Sequence, residues 1–226
     1  MFTHELCSKP GCNKFAISRI NRMGEIDSKN SFCLEHHPDI EGFKQDLIKY
    51  FNTNDKIVGL YAYGLRFDGL DFSGKGFYGC YMHHCTFTNI HTEHFRSRIS
   101  TFDFSTFSDC NLIKSNLQFV SLAGSKFSHV LFTDSELVQN NFCGIQSYQS
   151  SFDDSDLYNS RFIRANLVNT SFRNCNLKRT NFAEISIQNI SLKLSNTREA
   201  FFTLPPEVIR EAEGKSAEDK DKEKEE

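Results

Sequence analysis

Residues 150–184 read SSFDDSDLYNSRFIRANLVNTSFRNCNLKRTNFAE, and this stretch decides the fold. Phenylalanine and leucine alternate in it at every fifth position, from Phe152 to Phe182. An α-helix repeats its apolar residues at a spacing near 3.6, and a half-buried strand repeats them at a spacing of 2. A spacing of five fits neither element, so the apolar side chains must be buried by a different repeating structure.

The same register extends over more than half of the chain. Every fifth residue from Phe67 to Leu192 belongs to it, which gives 26 positions, of which 23 are large and apolar and 13 are phenylalanine. The three exceptions each follow a large apolar residue two positions earlier: Thr92 follows Ile90, Ser97 follows Phe95 and Ser147 follows Ile145. Because protein interiors are close-packed, this pattern indicates that apolar volume has moved between two inward-facing positions.

The position two residues before each apolar residue is mostly small. Its members include Ser100, Ser105, Cys110, Ser115, Ser125, Ser135, Ser150, Ser155, Ser160, Ala165, Thr170, Cys175 and Thr180. Small residues are expected where the backbone turns tightly and the side chain points inward.

Three pentapeptides show a sequence motif: Ala165-Asn-Leu-Val-Asn169, Cys175-Asn-Leu-Lys-Arg179 and Ser155-Asp-Leu-Tyr-Asn159. Each has a small residue, Asp or Asn, a central Leu, and two variable residues, and over residues 65–194 the chain resembles the pentapeptide-repeat family. The resemblance implies an all-β fold, a right-handed quadrilateral β-helix with four pentapeptides per coil. The 26 positions would then make about 6.5 coils, and the rod would stand roughly 31 Å tall at about 4.8 Å per coil. The alternation of Phe and Leu repeats every ten residues, and a coil would hold twenty. Phe would therefore stack on Phe, and Leu on Leu, in successive coils.

The segments around the repeat have different patterns. Residues 38–56 carry apolar residues on helical spacing and predict a linker with a helix that caps the lower end of the solenoid, where unpaired strand edges promote aggregation. These positions are Ile40, Phe43, Leu47, Ile48 and Phe51. Residues 57–194 form the predicted solenoid, and the apolar segment 195–213 predicts a second cap, through which a homodimer is a further hypothesis. Residues 214–226 are almost wholly charged, which is typical of a disordered tail.

Residues 1–37 contain the strongest candidate site. Cys7-Ser-Lys-Pro-Gly-Cys12 and Cys33-Leu-Glu-His36 are two pairs of soft ligands, each closed by a short turn and separated by 20 residues. Tetrahedral Zn(II) requires such an arrangement, and the module resembles a zinc ribbon or treble clef of the Cys3His type. With four protein ligands the zinc would be structural. His37 is the alternative fourth ligand.

A second group of cysteines and histidines lies inside the repeat. It comprises Cys80, His83, His84, Cys85, His91 and His94. The repeat register places the two cysteines at the small inward position and His83 and His84 outside, so these side chains should not converge on a metal. We therefore interpret this group as buried cysteines with exposed histidines.

Composition narrows the class of protein. The formal net charge is −3 over 226 residues, and no run approaches 18 apolar residues, so the sequence predicts neither a basic nucleic-acid binder nor a membrane span. No export signal is visible, and the eight cysteines suit a reducing compartment, so we expect a cytoplasmic protein. No phosphate loop, nucleophile elbow or zinc-protease motif is present, so we expect no enzyme.

The remaining hypotheses concern a binding partner. With 20-residue coils, a patch of five carboxylates would form at one corner of the rod: Asp134, Glu136, Asp153, Asp154 and Asp156. The leading hypothesis is a non-catalytic protein–protein interaction scaffold. This patch is its candidate binding surface, and a merely solubilising role is the alternative for the patch. The family resemblance offers an alternative, a DNA-mimicking regulator of a bacterial type II topoisomerase, but residues 65–194 hold 12 Lys+Arg and 11 Asp+Glu, whereas mimicry needs an acidic rod. The third hypothesis is nucleic-acid binding through the zinc module, which has only a slight basic excess.

Overall fold

Strand pairing in the repeat region joins residues that are 20 apart in the chain. The structure, a computed structural model, describes residues 5–21, 23–27, 29 and 31–215. Phe67 pairs with Phe87 and Phe87 with Phe107, always in parallel. Each coil therefore contains four pentapeptides and has four faces. The fold-class prediction, a β-solenoid of pentapeptide repeats with a capping helix, is confirmed.

Most elements are three-residue strands. In chain order the elements are β1 Arg19–Ile20, β2 Ile26–Asp27, α1 Ile40–Thr53, β3 Lys56–Val58, β4 Arg66–Asp68, β5 Gly76–Tyr78, β6 Thr86–Thr88, β7 His91–Glu93, β8 Arg96–Arg98, β9 Thr106–Ser108, β10 Asn111–Ile113, β11 Asn116–Gln118, β12 Lys126–Ser128, β13 Gln146–Tyr148, β14 Asn166–Val168, β15 Asn181–Phe182, β16 Ser186–Gln188, β17 Phe201–Phe202 and α2 Pro206–Glu213.

The strands stack into four parallel faces. Face 1 is the sheet β3-β5-β8-β11, which single bridges continue through Glu136, Asp156, Asn176 and Asn196. Face 2 runs from Tyr61 through single bridges to β15 and β17, and face 3 is the seven-stranded sheet from β4 to β16. Face 4 begins with β7 and β10 and continues to Ser191.

Each face ends in a corner whose residue adopts a left-handed backbone. This conformation recurs at every fifth residue from Gly59 to Glu199. Gly, Asn, Asp and His are frequent there, as expected for a positive φ, but Ile99, Phe104 and Phe119 also adopt it. The corners let the chain turn four times per coil, and their composition is a sequence signal that the apolar register does not reveal.

The interior is a set of aromatic columns. Phe152 stacks on Phe172 with ring centroids 4.9 Å apart, and Phe162 stacks on Phe182 at 5.0 Å. The rings are parallel within a column, and neighbouring columns meet edge-on, as Phe152 and Phe162 do at 5.7 Å. Like residues therefore stack on like, as the ten-residue alternation predicts. At the three exceptions, the compensating residues Ile90, Phe95 and Ile145 are buried.

The small inward residues have a second function that the sequence pattern alone does not show. Ser160 Oγ donates to the carbonyl of Leu137 at 2.7 Å and accepts from the backbone N–H of Asn140 at 2.9 Å. The same pair of hydrogen bonds recurs at Ser105 and Ser125. A hydroxyl at this position therefore satisfies buried backbone groups of the coil below. Without it, those groups would be left unpaired at a large desolvation cost.

Replacing Ser160 with Ala is expected to lower the free energy of unfolding by about 1–3 kcal/mol, because it removes the hydrogen-bond partner of both the Asn140 N–H and the Leu137 carbonyl. Ser160→Cys should cost less, since Cys175 donates an equivalent bond to the Phe152 carbonyl at 3.0 Å. Urea unfolding of the two variants measures the difference. An unchanged stability for Ser160→Ala would show that these hydroxyls do not support the rod.

Helix α1 closes the lower end of the solenoid. Its N-cap Asp39 accepts from the backbone N–H of Gly42 at 2.8 Å, and Phe43, Leu47 and Phe51 form its buried stripe. The Phe51 ring lies 5.4 Å from the Phe72 ring, against the first coil. The helix therefore covers apolar side chains that the first coil would otherwise expose.

The upper end of the solenoid lies beyond residue 194, the boundary predicted from the sequence. Asn196 pairs with Asn176, and β17 pairs with β15, so the solenoid continues to Phe202. The reason is that the Phe182–Phe202 stack, at 4.9 Å, extends the aromatic column by one coil. Helix α2 then covers the end, where the N–H of Leu192 donates to the Ala212 carbonyl at 2.8 Å. The predicted tail lies, from residue 216 onward, outside the described residues.

Candidate metal centre and charged face

Cys7, Cys12, Cys33 and His36 converge at one point. Their ligand atoms all lie within 4.8 Å of one another. His36 Nδ1 is 3.5 Å from the sulfur of Cys7 and 3.3 Å from that of Cys33, and the sulfurs of Cys12 and Cys33 are 4.0 Å apart. A tetrahedral zinc with ordinary Zn–S and Zn–N bonds requires ligand separations of about 3.5–3.8 Å. The donor set and its spacing therefore fit Zn(II).

Two tight turns bring the ligands together. The N–H of Cys12 donates to the Lys9 carbonyl at 3.1 Å, and Gly11 supplies the positive φ of 79° that this turn requires. The N–H of His36 donates to the Cys33 carbonyl at 3.0 Å, which forms the second turn. Each ligand pair is thus presented by a short local turn, as the ligand spacing in the sequence predicts.

The structure places His36 in this cluster and His37 outside it. The His37 ring packs against Phe43, with centroids 5.3 Å apart, and its Nδ1 accepts from the N–H of Asp39 at 3.3 Å. Burial opposes ionisation of the Cys7 thiol, but hydrogen bonds from the backbone at Cys33 and Lys9 outweigh it, so the pKa of Cys7 lies below its ordinary value. A thiolate is the form that binds metal.

The module around this cluster is attached to the solenoid. Ile17 is fully buried within the common core, and the N–H of Ser18 donates to the Tyr61 carbonyl at 2.8 Å. The ring of Phe15 lies 6.4 Å from that of Tyr63 and 6.2 Å from that of Tyr81. These contacts seat the module on the first coils of face 2, so the cysteine–histidine cluster is anchored to the base of the rod.

The second group of cysteines and histidines does not form a cluster. Cys80 and Cys85 are 1% exposed, and burial raises the pKa of each thiol to about 12. His84 is exposed at a corner, where it stacks on Phe104 at 5.3 Å. Within the described part of the chain, Cys7, Cys12, Cys33 and His36 are the one group that could hold a metal.

The five carboxylates of the predicted patch lie around one corner. Asp134 and Asp154 occupy successive left-handed positions between face 4 and face 1. Glu136 and Asp156 are joined by a parallel β-bridge of the backbone on face 1, and Asp153 lies beside them on face 4. None of the five forms an ion pair with any residue that the structure describes. Among the described residues, this acidic band therefore has no ionic partner.

Four members of the acidic band also hydrogen-bond to neighbouring coils. Asp154 Oδ1 accepts from Asn174 Nδ2 at 2.8 Å, and Glu136 accepts from Asn116 Nδ2. Asp153 Oδ1 accepts from the hydroxyl of Ser171 at 2.5 Å and from the N–H of Arg173 at 2.7 Å. Asp156 Oδ1 accepts from Asn176 Nδ2 at 2.9 Å. Asp134 makes no such bond to the described residues, so its charge is the most available.

A basic band, which was not predicted from the sequence, occupies the same face. Its members are His94, Arg96, Arg98 and Lys114, all exposed. Arg96 Nη2 donates to the Gly74 carbonyl at 2.7 Å, and Lys114 Nζ lies 3.5 Å from Glu93. Arg98 forms no ion pair with the described residues. Face 1 therefore changes sign between the coil of Asn116 and the coil of Glu136, a pattern that appears only when the sequence is written in rows of twenty.

A groove of about 540 Å³ crosses this change of sign. Its lining residues are Gly74, His94, Arg96, Lys114, Ser115, Asn116, Asp134 and Glu136. Gly74 contributes no side chain, so the groove is open where the basic band begins.

Comparison with known proteins gives matches to repeat families and to solved structures. A model described as a pentapeptide repeat region matches residues 125–202, and one described as pentapeptide repeats in eight copies matches residues 100–144. The search of curated proteins found no match. Neither described helix has the length or the apolar character that a membrane crossing requires.

Three solved structures illustrate the structural matches. Full-length QnrB1, described as a plasmid-mediated fluoroquinolone resistance protein, is 15% identical, with 70% of this chain and 87% of that chain covered and a TM-score of 0.43. The pentapeptide repeat protein Rfr23 from the cyanobacterium Cyanothece is 12% identical, with 70% and 99% covered and a TM-score of 0.35. A pentapeptide repeat protein from the thylakoid lumen of Arabidopsis thaliana is 18% identical, with 56% and 70% covered and a TM-score of 0.33.

Proposed function

We propose that this chain, a pentapeptide-repeat solenoid, is a non-catalytic protein–protein interaction module whose base is held by a structural zinc. The observation that carries the proposal is the acidic band on face 1. Its five carboxylates have no ionic partner among the described residues, and they are displayed on a rod whose backbone is fixed by pairing at every coil. A charged surface that the fold itself leaves uncompensated is suited to recognise an oppositely charged partner.

The design of the rod favours binding over catalysis. The large side chains point inward and form aromatic columns, and the outward positions on each face are spaced regularly by the coils. The carboxylates lie on an open corner, and such a site does not exclude water as catalytic sites do. The repeat surface therefore offers an extended array of contacts, which is how solenoid proteins engage other macromolecules.

In this proposal Cys7, Cys12, Cys33 and His36 would hold Zn(II) in a closed shell of four protein ligands. Such a site leaves no position for a substrate or an activated water, so its contribution would be to folding. All eight cysteines are unpaired. Because a zinc site of this type needs reduced thiols, the proposal places the protein in a reducing compartment such as the cytoplasm.

A protein partner is preferred over nucleic acid and over mimicry of DNA. Residues 65–194 hold 12 Lys+Arg and 11 Asp+Glu, so the rod lacks the strongly acidic surface that mimicry of a duplex requires. The basic residues of face 1 form one band beside an acidic band, and the carboxylates would repel a phosphate backbone. The mixed bands instead suit a protein surface with both signs of charge.

Reversing three carboxylates is expected to abolish capture of the partner while leaving the fold intact. Asp134→Lys, Glu136→Lys and Asp154→Lys change the three exposed members of the band and avoid the half-buried Asp153 and Asp156. Exposed charges contribute little to stability, so the free energy of unfolding should change by less than about 1 kcal/mol. Association should slow by at least about tenfold, and wild-type binding should weaken as salt is added. Pull-down from the native cell followed by binding kinetics with the captured protein measures this.

The matched control reverses two exposed cations on faces 2 and 3, Arg161→Glu and Lys126→Glu, neither of which forms an ion pair with the described residues. This control should keep its partner. If the acidic reversal leaves capture unaltered while the control abolishes it, the binding surface lies on another part of the rod. If neither reversal matters, the zinc module or the end caps make the contact.

A further inference from the structure

The acidic and basic bands of face 1 form no ion pair with each other among the described residues. Lys114 is one coil from Asp134, but its Nζ lies 3.5 Å from Glu93 instead. Arg96 and Asp156 lie in the same column but three coils apart, which is about 14 Å at the spacing of a parallel sheet. An ion pair requires atoms within about 4 Å. The face therefore presents two bands of opposite charge at a fixed separation.

The two bands are related by a single midpoint. The point midway between Asn116 and Glu136 has Lys114 one half-coil to one side and Asp134 one half-coil to the other. Arg96 and Asp156 are likewise equidistant from it, at one and a half coils each. Rotation by 180° about an axis through this point, across face 1 and perpendicular to the rod, therefore superposes positions of one sign on positions of the other.

We propose that face 1 binds a second copy of this chain in an antiparallel arrangement about that two-fold axis. The proposal deepens the function proposed above, on which it rests, by naming the partner of the acidic band. In such a pair each residue faces the member of its own column at the same distance beyond the midpoint. The contact is isologous, so every favourable pair occurs twice.

The facing pairs are complementary in chemistry. Lys114 faces Asp134, Arg96 faces Asp156, His94 faces Asp154 and Asn116 faces Glu136; at the outer column Arg98 faces Tyr158 and Tyr78 faces Lys178. The last two pairs place a cation against an aromatic ring, which is a favourable contact, and arginine and tyrosine are frequent at the energetic centres of interfaces.

One pair has like charges, and its repulsion is reduced locally. Glu93 would face Asp153 at the edge on face 4. Lys114 Nζ lies 3.5 Å from Glu93, and the N–H of Arg173 donates to Asp153, so both carboxylates already have a partner with positive character. The repulsive pair therefore lies at the rim of the contact, whereas the complementary pairs lie along the corner and face 1.

The groove provides room for the partner's side chains. It is lined on one side of the midpoint by Gly74, His94, Arg96 and Lys114. The antiparallel copy would bring Asp134, Asp154 and Asp156 to this part of the surface, together with Asn174. Carboxylates and an amide would then enter a groove whose walls carry their counter-charges.

The rest of the protein leaves this face accessible. The zinc module contacts face 2 through Phe15 and Ser18, and helix α1 packs on the lower end through Phe51. Helix α2 lies at the upper end, against Leu192. A foreign protein would need only one of the two bands, whereas a second copy uses both in register, and this self-complementarity favours the second copy as the occupant.

A charge-swap experiment tests the arrangement. The wild-type protein should sediment as a dimer at low salt and dissociate as salt rises. Asp134→Lys with Asp156→Lys makes face 1 positive, and Arg96→Glu with Lys114→Glu, at the positions that face them, makes it negative, so each variant alone should be monomeric, with a dissociation constant raised at least about 100-fold. Mixed together, the two variants should form a one-to-one heterodimer, which also shows that both are folded. Arg161→Glu with Lys126→Glu, on faces 2 and 3, is the matched control and should dimerise as the wild type does.

The outcomes separate this inference from the proposed function. A wild-type protein that is monomeric at low salt overturns the dimer, even if it captures a foreign partner through its carboxylates, which would leave the proposed function standing. A wild-type dimer that neither reversal dissociates also overturns the inference and points to the C-terminal cap as the interface. A salt-sensitive dimer that obeys the charge swap supports the inference, including when no foreign protein is captured.

Discussion

Replacing Cys33 with Ala is expected to remove the bound zinc and to unfold the N-terminal module. Wild-type protein should contain one zinc per chain, since four ligand atoms converge within 4.8 Å. In small zinc modules the binding free energy of the metal, about 10–16 kcal/mol at neutral pH, is also folding free energy. Loss of one of four ligands therefore leaves the module without its main source of stability. Elemental analysis of the purified proteins measures the metal content.

Hydrogen exchange should locate the damage in the Cys33→Ala protein. The backbone N–H of Tyr61 donates to Ser18 Oγ at 2.9 Å, so it should lose protection together with residues 5–37. Amides of the coils around Phe162 should keep theirs, because repeats depend chiefly on their nearest neighbours. Amides of the lower coils should therefore also lose protection, because Ile17 is part of the core of these coils.

Two controls make the zinc prediction specific. Cys143→Ala removes a cysteine outside the cluster and should retain the metal, and His37→Ala should retain it while His36→Ala loses it. A wild-type protein that is folded and free of metal would contradict the prediction. So would zinc that survives the combined Cys7→Ala and Cys33→Ala substitutions.

The second large effect is expected at the aromatic columns. Phe162→Ala should lower the free energy of unfolding by about 3–5 kcal/mol, the usual cost of removing a buried aromatic ring. The Phe162 side chain is 0% exposed and stacks between Phe142 at 4.8 Å and Phe182 at 5.0 Å, so the cavity would interrupt a continuous column. Phe162→Leu should cost only about 1–1.5 kcal/mol, because it nearly conserves volume.

The control for Phe162 must lie outside the core and away from the corners. Arg161→Ala is suitable, since Arg161 is exposed and should change stability by no more than about 0.5 kcal/mol. Asn159, the neighbouring outward position in the sequence, is unsuitable because its φ is +57°, where Ala is strained by about 1–2 kcal/mol. Denaturant unfolding compares the variants, and equal losses at Phe162 and Arg161 would mean that the inward register is wrong.

The left-handed corners show where sequence reasoning fell short. Apolar periodicity identifies which residue of each pentapeptide points inward, because burial depends on side-chain type. It does not report backbone conformation, so the positive φ of Asn159 and the strained corners at Ile99, Phe104 and Phe119 were not anticipated. The frequent Gly and Asn at these positions were the available signal.

The sequence by itself determined the local features of this protein. The apolar register from Phe67, the helix at Ile40–Thr53 and the candidate metal-binding pairs Cys7–Cys12 and Cys33–His36 each depend on residues that are close in the chain. Such features are encoded by spacing: a buried position needs an apolar side chain, and a metal turn needs two ligands a few residues apart.

The tertiary structure decided everything that depends on stacking one coil upon another. The alternation of Phe and Leu is compatible with any coil length that is a multiple of ten, and pairing of residue 67 with residue 87 sets it at twenty. Only then does Ser160 reach the Leu137 carbonyl, does the solenoid extend to Phe202, and do Arg96 and Asp156 fall in one column of face 1. The physical reason is that these contacts join residues about twenty apart, and the hydrogen bonds between coils, rather than any local preference, fix which residues meet.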